Sequence, residues 1–196
     1  MVHWCKPEVY DMKKSLTFQY TFHQMTYWAT AAGIVSFATA FLLQKGFAAS
    51  AVGTLLASGN LLSCTFQPIL ADWADRRGGN VLKWMAAGLT AVSALCFLSI
   101  QLIPLPGMAF GLLYLLGVFA FDSMNPLMNA LNVSYMTNGY QINYGFSRGL
   151  GSLAYAFAAL LVGKVMARFG ADWMIWISLG LLFVNAIMAM SYPSLV

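Results

Sequence analysis

Charged side chains are what this chain has least of. Ten Lys or Arg and six Asp or Glu are spread over 196 residues, 8% in all. A soluble domain carries about 25% charged residues, so a soluble fold of this size could not cover its surface. Cysteine is scarce too. Cys5, Cys64 and Cys96 are odd in number and widely spread, which argues against a disulfide framework and a metal site. No Gly-rich loop ends in Lys-Ser/Thr, so nothing marks an ATPase. No Ser/His nucleophile constellation occurs either. Ala57-Ser58-Gly59 is a lone Gly-flanked serine and reads as packing. The polar opening, Met1 to Lys14, has no short apolar core or small-residue cleavage site, so no secretory signal is read. The expectation is a protein that is not an enzyme and needs no cofactor or metal.

What the chain does have is apolar length. Hydrophobic residues make up 60% of it. A helix crossing a bilayer needs about 20 apolar residues, so six spans fit. Apolar segments run over 18–43, 50–72, 82–103, 107–132, 146–168 and 173–192. The predicted fold is all-α, a polytopic membrane bundle filling one domain, 1–196. Turn chemistry separates the segments: Lys45-Gly46, Asp75 to Gly79, Pro104 and Pro106, Asn138-Gly139, and Phe169 to Asp172 with Gly170 as a helix C-cap.

The net charge of +4 is not a nucleic-acid signal, because the basic residues lie between spans. Lys6, Lys13, Lys14, Arg76, Arg77 and Lys83 fall on one side; Lys45, Lys164 and Arg168 fall on the other. The excess predicts a cytoplasmic N-terminus, and six spans return the C-terminus to the same side; the expected location is a plasma membrane. Trp84, Trp173, Trp176 and Tyr192 lie near span ends, as interfacial anchors or packing residues.

A repeat is visible at an offset of 92 residues, without gaps. It pairs Gly53 with Gly145, Gly59 with Gly151, Arg76 with Arg168, Gly78 with Gly170, Trp84 with Trp176 and Gly88 with Gly180. Spans 2–3 thus resemble spans 5–6. The unit has three helices, an odd number, so its copies are inverted in the membrane, a construction rule of secondary transporters.

Polar residues inside spans are costly and are functional candidates. Span 4 carries Asp122, Asn125, Asn129 and Asn132 at intervals of three, four and three, on one helical face. This face either lines a watery cavity or glues helices together. Pro126 sits within it and frees a carbonyl. Span 1 shows a similar bias with Gln19, His23, Tyr27 and Thr30. His23 titrates near neutrality when unperturbed, so it and Asp122 are candidates for ion coupling. Spans 2 and 5 are rich in small residues that let helices approach closely. Spans 3 and 6 are mostly apolar, without a polar stripe. Spans 1 and 4 are therefore expected around a pathway, 2 and 5 as close-packed movers, and 3 and 6 toward lipid. Arg148 stands in the first turns of span 5. It either snorkels to the surface or is buried with a partner, Asp122 being one option.

Ala71-Asp72-Trp73-Ala74-Asp75-Arg76-Arg77-Gly78-Gly79 is the most specific local feature. It resembles the loop between helices 2 and 3 of major facilitator superfamily transporters: Gly, three residues, Asp, a basic residue, one more residue, Gly. Asp75, Arg76 and Gly78 match, and Ala71 stands where the family usually has Gly. The resemblance implies that Asp75, Arg76 and Gly78 form a conformational latch. Leu62-Ser63-Cys64-Thr65-Phe66-Gln67-Pro68 is similar to helix 2 of the lactose permease branch. Tyr144 to Ser152 resembles the start of that branch's helix 5. By this resemblance Arg148 falls on a sugar-binding arginine, and Ser152 and Tyr155 on residues lining the sugar site. The branch's helix 4 carboxylate falls near Asn129, so Asp122 is the available substitute.

The expected function is secondary active transport of a small polar solute (sugar, oligosaccharide or nucleoside), coupled to protons, by alternating access. The expected solute site is Tyr27, Asp122, Asn125, Asn129, Arg148, Ser152 and Tyr155, with His23 and Asp122 for coupling. The resemblance implies twelve helices, so a C-terminal half is absent from this sequence, and a second half or a like chain is the expected partner. The competing expectation is an inactive half-transporter or a non-transporting membrane assembly protein.

Overall fold

The computed structural model describes residues 7–76 and 79–194. Every regular element there is helical: α1 (Pro7–Ile34), α2 (Ala38–Gln44), α3 (Ala49–Asp75), α4 (Gly79–Leu102), α5 (Gly107–Asp122), α6 (Met124–Thr137), α7 (Tyr144–Phe169) and α8 (Asp172–Ser191). These form six spans long and apolar enough to cross a membrane: 16–44, 49–73, 80–102, 107–137, 144–169 and 172–191. The first is α1 with α2, and the fourth is α5 with α6. The fourth runs to Thr137, beyond the 132 expected, because its last polar turns stay helical up to Gly139. Gly139 has φ +84° and Gly170 has φ +98°, conformations that side chains rarely adopt, so both chain reversals fall on glycine as expected.

The helices pack with the symmetry that the repeat implies. α1 lies along α7 and α8, while α5 and α6 lie along α3 and α4. Exchanging span 1 with 4, 2 with 5 and 3 with 6 turns one set of contacts into the other. The packed α4–α8 pair maps onto itself. The core centres on spans 1 and 4, with Tyr20, Phe41, Tyr114, Phe121 and Leu127 all fully buried.

Spans 2 and 5 are the least covered of the six, yet α7 lies closely along α1. Gly53 and Gly149 face open space, whereas Gly59, Gly151 and Gly163 meet Leu115, Trp28 and Phe37. Three expectations change. Spans 3 and 6 are not simply lipid-facing. They pack on each other and bury Thr90, Ser93, Ser178 and Asn185. Lys83 is not a free loop charge. It is buried at the start of α4, where its Nζ donates to the Tyr192 carbonyl and Ser194 Oγ, both at 3.1 Å. A helix C-terminus leaves carbonyls unpaired, and an ammonium answers their partial negative charge. Tyr192 is likewise no interfacial anchor: it is buried between His23 and Tyr135, while Trp84, Trp173 and Trp176 are exposed.

A polar seam joins α1 to α8. Thr26 Oγ1 donates to Asn185 Oδ1 (3.0 Å), and Asn185 Nδ2 donates to Thr30 Oγ1 (3.1 Å) and to the Leu181 carbonyl (2.9 Å). At the opposite end of the bundle Lys45 and Asp172 form an ion pair at 2.6 Å, tying the α2–α3 turn to the start of α8.

Candidate functional site

Spans 1 and 4 both break, and each break exposes a carbonyl that another span satisfies. In span 1 the helical ladder slips after Ile34. Ser36 N–H donates to Ala31, one residue further back than usual, and Ala38 N–H donates to Val35 rather than to Ile34. The Ile34 carbonyl instead accepts from Tyr114 Oη at 2.6 Å. In span 4, α5 ends at Asp122 and α6 begins at Met124. Pro126 has no N–H to give the Asp122 carbonyl, and Gln67 Nε2 of α3 approaches that oxygen at 3.5 Å. Lipid offers no hydrogen bonds, so such breaks persist only against protein or a cavity.

Between the breaks lies a cavity of about 270 Å³ lined by Tyr27, Trp28, Ser36, Gln67, Asp122, Asn125 and Tyr155 among others. Tyr27 stacks on Phe121 (centroids 4.6 Å apart, 11° between planes) and meets the Trp28 edge. Tyr155 Oη and Ser36 Oγ share a hydrogen bond at 2.5 Å. The lining thus combines one carboxylate, two primary amides and hydroxyls with aromatic walls. A small polar solute binds to such a mixture through a few directed hydrogen bonds and ring contacts.

Four expected site residues therefore meet: Tyr27, Asp122, Asn125 and Tyr155. Asn129 sits one turn away, donating from Nδ2 to Asn125 Oδ1 at 3.2 Å. Asn132 is buried further along α6, and the Oδ1 atoms of Asn129 and Asn132 have no hydrogen-bond partner. Arg148 and Ser152 lie beside the cavity rather than in its wall. Arg148 Nη1 donates to Ser152 Oγ at 2.7 Å, and its guanidinium lies over the Trp28 ring. Arg148 forms no ion pair with Asp122 among the described residues.

His23 stands elsewhere. It is fully buried, with Nδ1 3.3 Å from Tyr192 Oη and Nε2 unpaired, and it does not line the cavity. Of the loop triad, Asp75 is the last residue of α3, Arg76 pairs with Asp72 one turn back at 2.9 Å, and Gly78 lies outside the described residues. The residues not singled out from sequence are Trp28, Ser36 and Gln67. Trp28 adjoins Tyr27, and Gln67 precedes Pro68 in the helix 2 segment, but neither falls on a polar stripe.

Residues 17–196 match the MFS_1 like family. No curated protein matches the chain, and no solved structure matches it. With six spans and this match, the chain belongs to the MFS_1 like family, as an integral membrane protein of major facilitator type with a transporter-related role.

Proposed function

We propose that the chain carries out secondary active transport of a small polar solute, a sugar, oligosaccharide or nucleoside, coupled to protons. The observation that carries this reading is the cavity at the paired helix breaks, with Asp122, Asn125 and Gln67 in its wall and Arg148 beside it. A dry helix-to-helix seam would fill with neighbouring side chains; this space is open. Tyr27, Trp28 and Tyr155 offer ring faces, Asp122 and the amides accept and donate hydrogen bonds, and Arg148 adds a planar fork for polar oxygens. Asp122 is the proton-carrying candidate, because it is a carboxylate in the cavity wall. His23 is the second, through its own enclosed position. The placement of Arg148, Ser152 and Tyr155 on one stretch of α7 supports a member of the lactose permease branch. The exposed flanks of α3 and α7 suit a second six-helix half or a like chain, with alternating access between them. The loop at Asp75, Arg76 and Gly78 would latch that movement. The Lys/Arg asymmetry supports cytoplasmic termini, and a plasma membrane is the location proposed with them.

The test is uptake of a labelled sugar and nucleoside panel by vesicles containing this chain, with and without an imposed pH gradient. Gradient-driven accumulation that Asp122→Asn removes supports the proposal. Vesicles that bind solute without moving it across the bilayer would indicate a non-transporting membrane protein.

A further inference from the structure

A second concave surface lies on the side of the bundle away from Asp122. α1, α7 and α8 enclose a groove of about 650 Å³, walled by Phe22 and Ala29 from α1, Ala158 and Leu161 from α7, and Ile177 and Leu181 from α8. Its lining is apolar but for Thr26, whose hydroxyl is already engaged with Asn185. All three walls belong to membrane spans, so the groove opens to lipid rather than to water.

Its length and its end are specific. On α7 the wall runs from Leu153 to Val165. At 1.5 Å per residue that is about 18 Å, close to one leaflet of a hydrocarbon core about 30 Å thick. Arg168 follows Leu161 by seven residues and so continues the same face one turn past Val165. Lys164 stands at the edge of that face. Both are exposed, and neither forms an ion pair among the described residues. Asp172, four residues beyond Arg168, is already paired with Lys45. A chain-length apolar slot thus ends on two uncompensated cations.

We propose that this groove binds one anionic phospholipid, an acyl chain lying along α7 and the phosphate headgroup held by Arg168 and Lys164. A slot open to lipid with a neutral rim would take any tail; the cations make the choice of headgroup. The planar fork of Arg168 suits phosphate oxygens, and Lys164 adds a second donor from one turn deeper.

The experiment uses spin-labelled phosphatidylglycerol and phosphatidylcholine in vesicles containing the chain. The motionally restricted fraction of each label is read at matched concentration. Wild type should hold phosphatidylglycerol roughly thirty-fold more strongly than phosphatidylcholine, the size expected of two basic residues at a membrane surface. Lys164→Gln combined with Arg168→Gln should bring the ratio to about one. Ala158→Phe, which fills the slot and leaves both cations, should also abolish the preference; Ala154→Phe serves if that variant does not fold. Equal retention by wild type overturns the proposal, as does a ratio unchanged by the charge-neutral or slot-filling variants. Displacement of the lipid by excess inorganic phosphate alone would show that the acyl chain contributes nothing, and also overturns it. Efficient disulfide cross-linking of two chains through Leu161→Cys would assign the groove to a second copy instead.

Discussion

The guanidinium of Arg148 on α7 lies over the indole of Trp28 on α1, 3.9 Å from the ring centroid. That indole is itself held. Trp28 Nε1 donates to Gln24 Oε1 at 3.0 Å, and Gln24 Nε2 donates to Tyr20 Oη at 2.8 Å. The arginine beside the cavity is therefore positioned by a chain of contacts running down the neighbouring span.

Arg148→Ala should abolish solute binding while leaving membrane insertion intact. Arg148→Lys should also bind poorly, because an ammonium has neither the planar fork nor the stacking surface. Equilibrium binding to purified variants of equal helicity checks this. Near-normal affinity in the alanine variant would remove Arg148 from the site.

Gly151 should tolerate no side chain. A Cβ there would stand 2.7 Å from Trp28 Cδ1 and 3.4 Å from the Gln24 carbonyl. The indole cannot swing aside without leaving Gln24 and Arg148. Gly151→Ala should cost about 1–3 kcal/mol, as overpacking does. Gly149→Ala, facing open space two residues away, should be neutral or slightly stabilising. Thermal unfolding of the two variants in the same detergent makes the comparison.

Asn185→Leu should loosen α1 from α8. Interhelical hydrogen bonds in membranes contribute roughly 0.6–2 kcal/mol each, and the change leaves the Thr26 and Thr30 hydroxyls only their own-helix acceptors, the His23 and Thr26 carbonyls. Asn185→Ser, which keeps a hydrogen-bonding group, should recover part of the loss. A leucine variant as stable as wild type would show that the seam is dispensable.

The Lys45–Asp172 pair should show modest, salt-sensitive coupling. Both side chains are partly exposed, and exposed pairs typically contribute about 0.2–1 kcal/mol. A double-mutant cycle at low and high ionic strength measures it. Coupling that survives high salt would mean the pair is shielded from water.

Cysteines placed at Lys13 and Asn80 should react with impermeant reagent only from the cytoplasmic face. Labelling of both from outside would reverse the topology.

The spans and their order were legible because membrane helices are written in composition. The span 4 stripe was legible because Asp122, Asn125 and Asn129 repeat at helical spacing in an apolar background. Asn185 was not, since a lone amide among Leu, Phe and Met has no periodicity to mark it; its spacing of seven from Ser178 is the one available clue. Gln67 and Trp28 reach the cavity by tertiary placement. Gln67 is drawn there by the carbonyl that Pro126 leaves free, a consequence that crosses from one helix to another. Burial of Lys83 was hidden for a similar reason: its acceptors at Tyr192 and Ser194 lie more than a hundred residues away in sequence.

The breaks after Ile34 and at Ser123 interrupt the hydrogen-bond ladders of two helices that border one cavity. A continuous helix resists bending along its whole length, so flexing concentrates where the ladder is already cut. Spans 1 and 4 are thus each built as two stiff rods joined by a compliant joint, and both joints border the same small chamber. Tilt of α6, which carries Asn125 in the wall, changes the shape of that chamber, and tilt of α2 acts on it through Val35 and Ser36 at the joint. The oxygens bound by Tyr114 and Gln67 set how much torque each joint withstands.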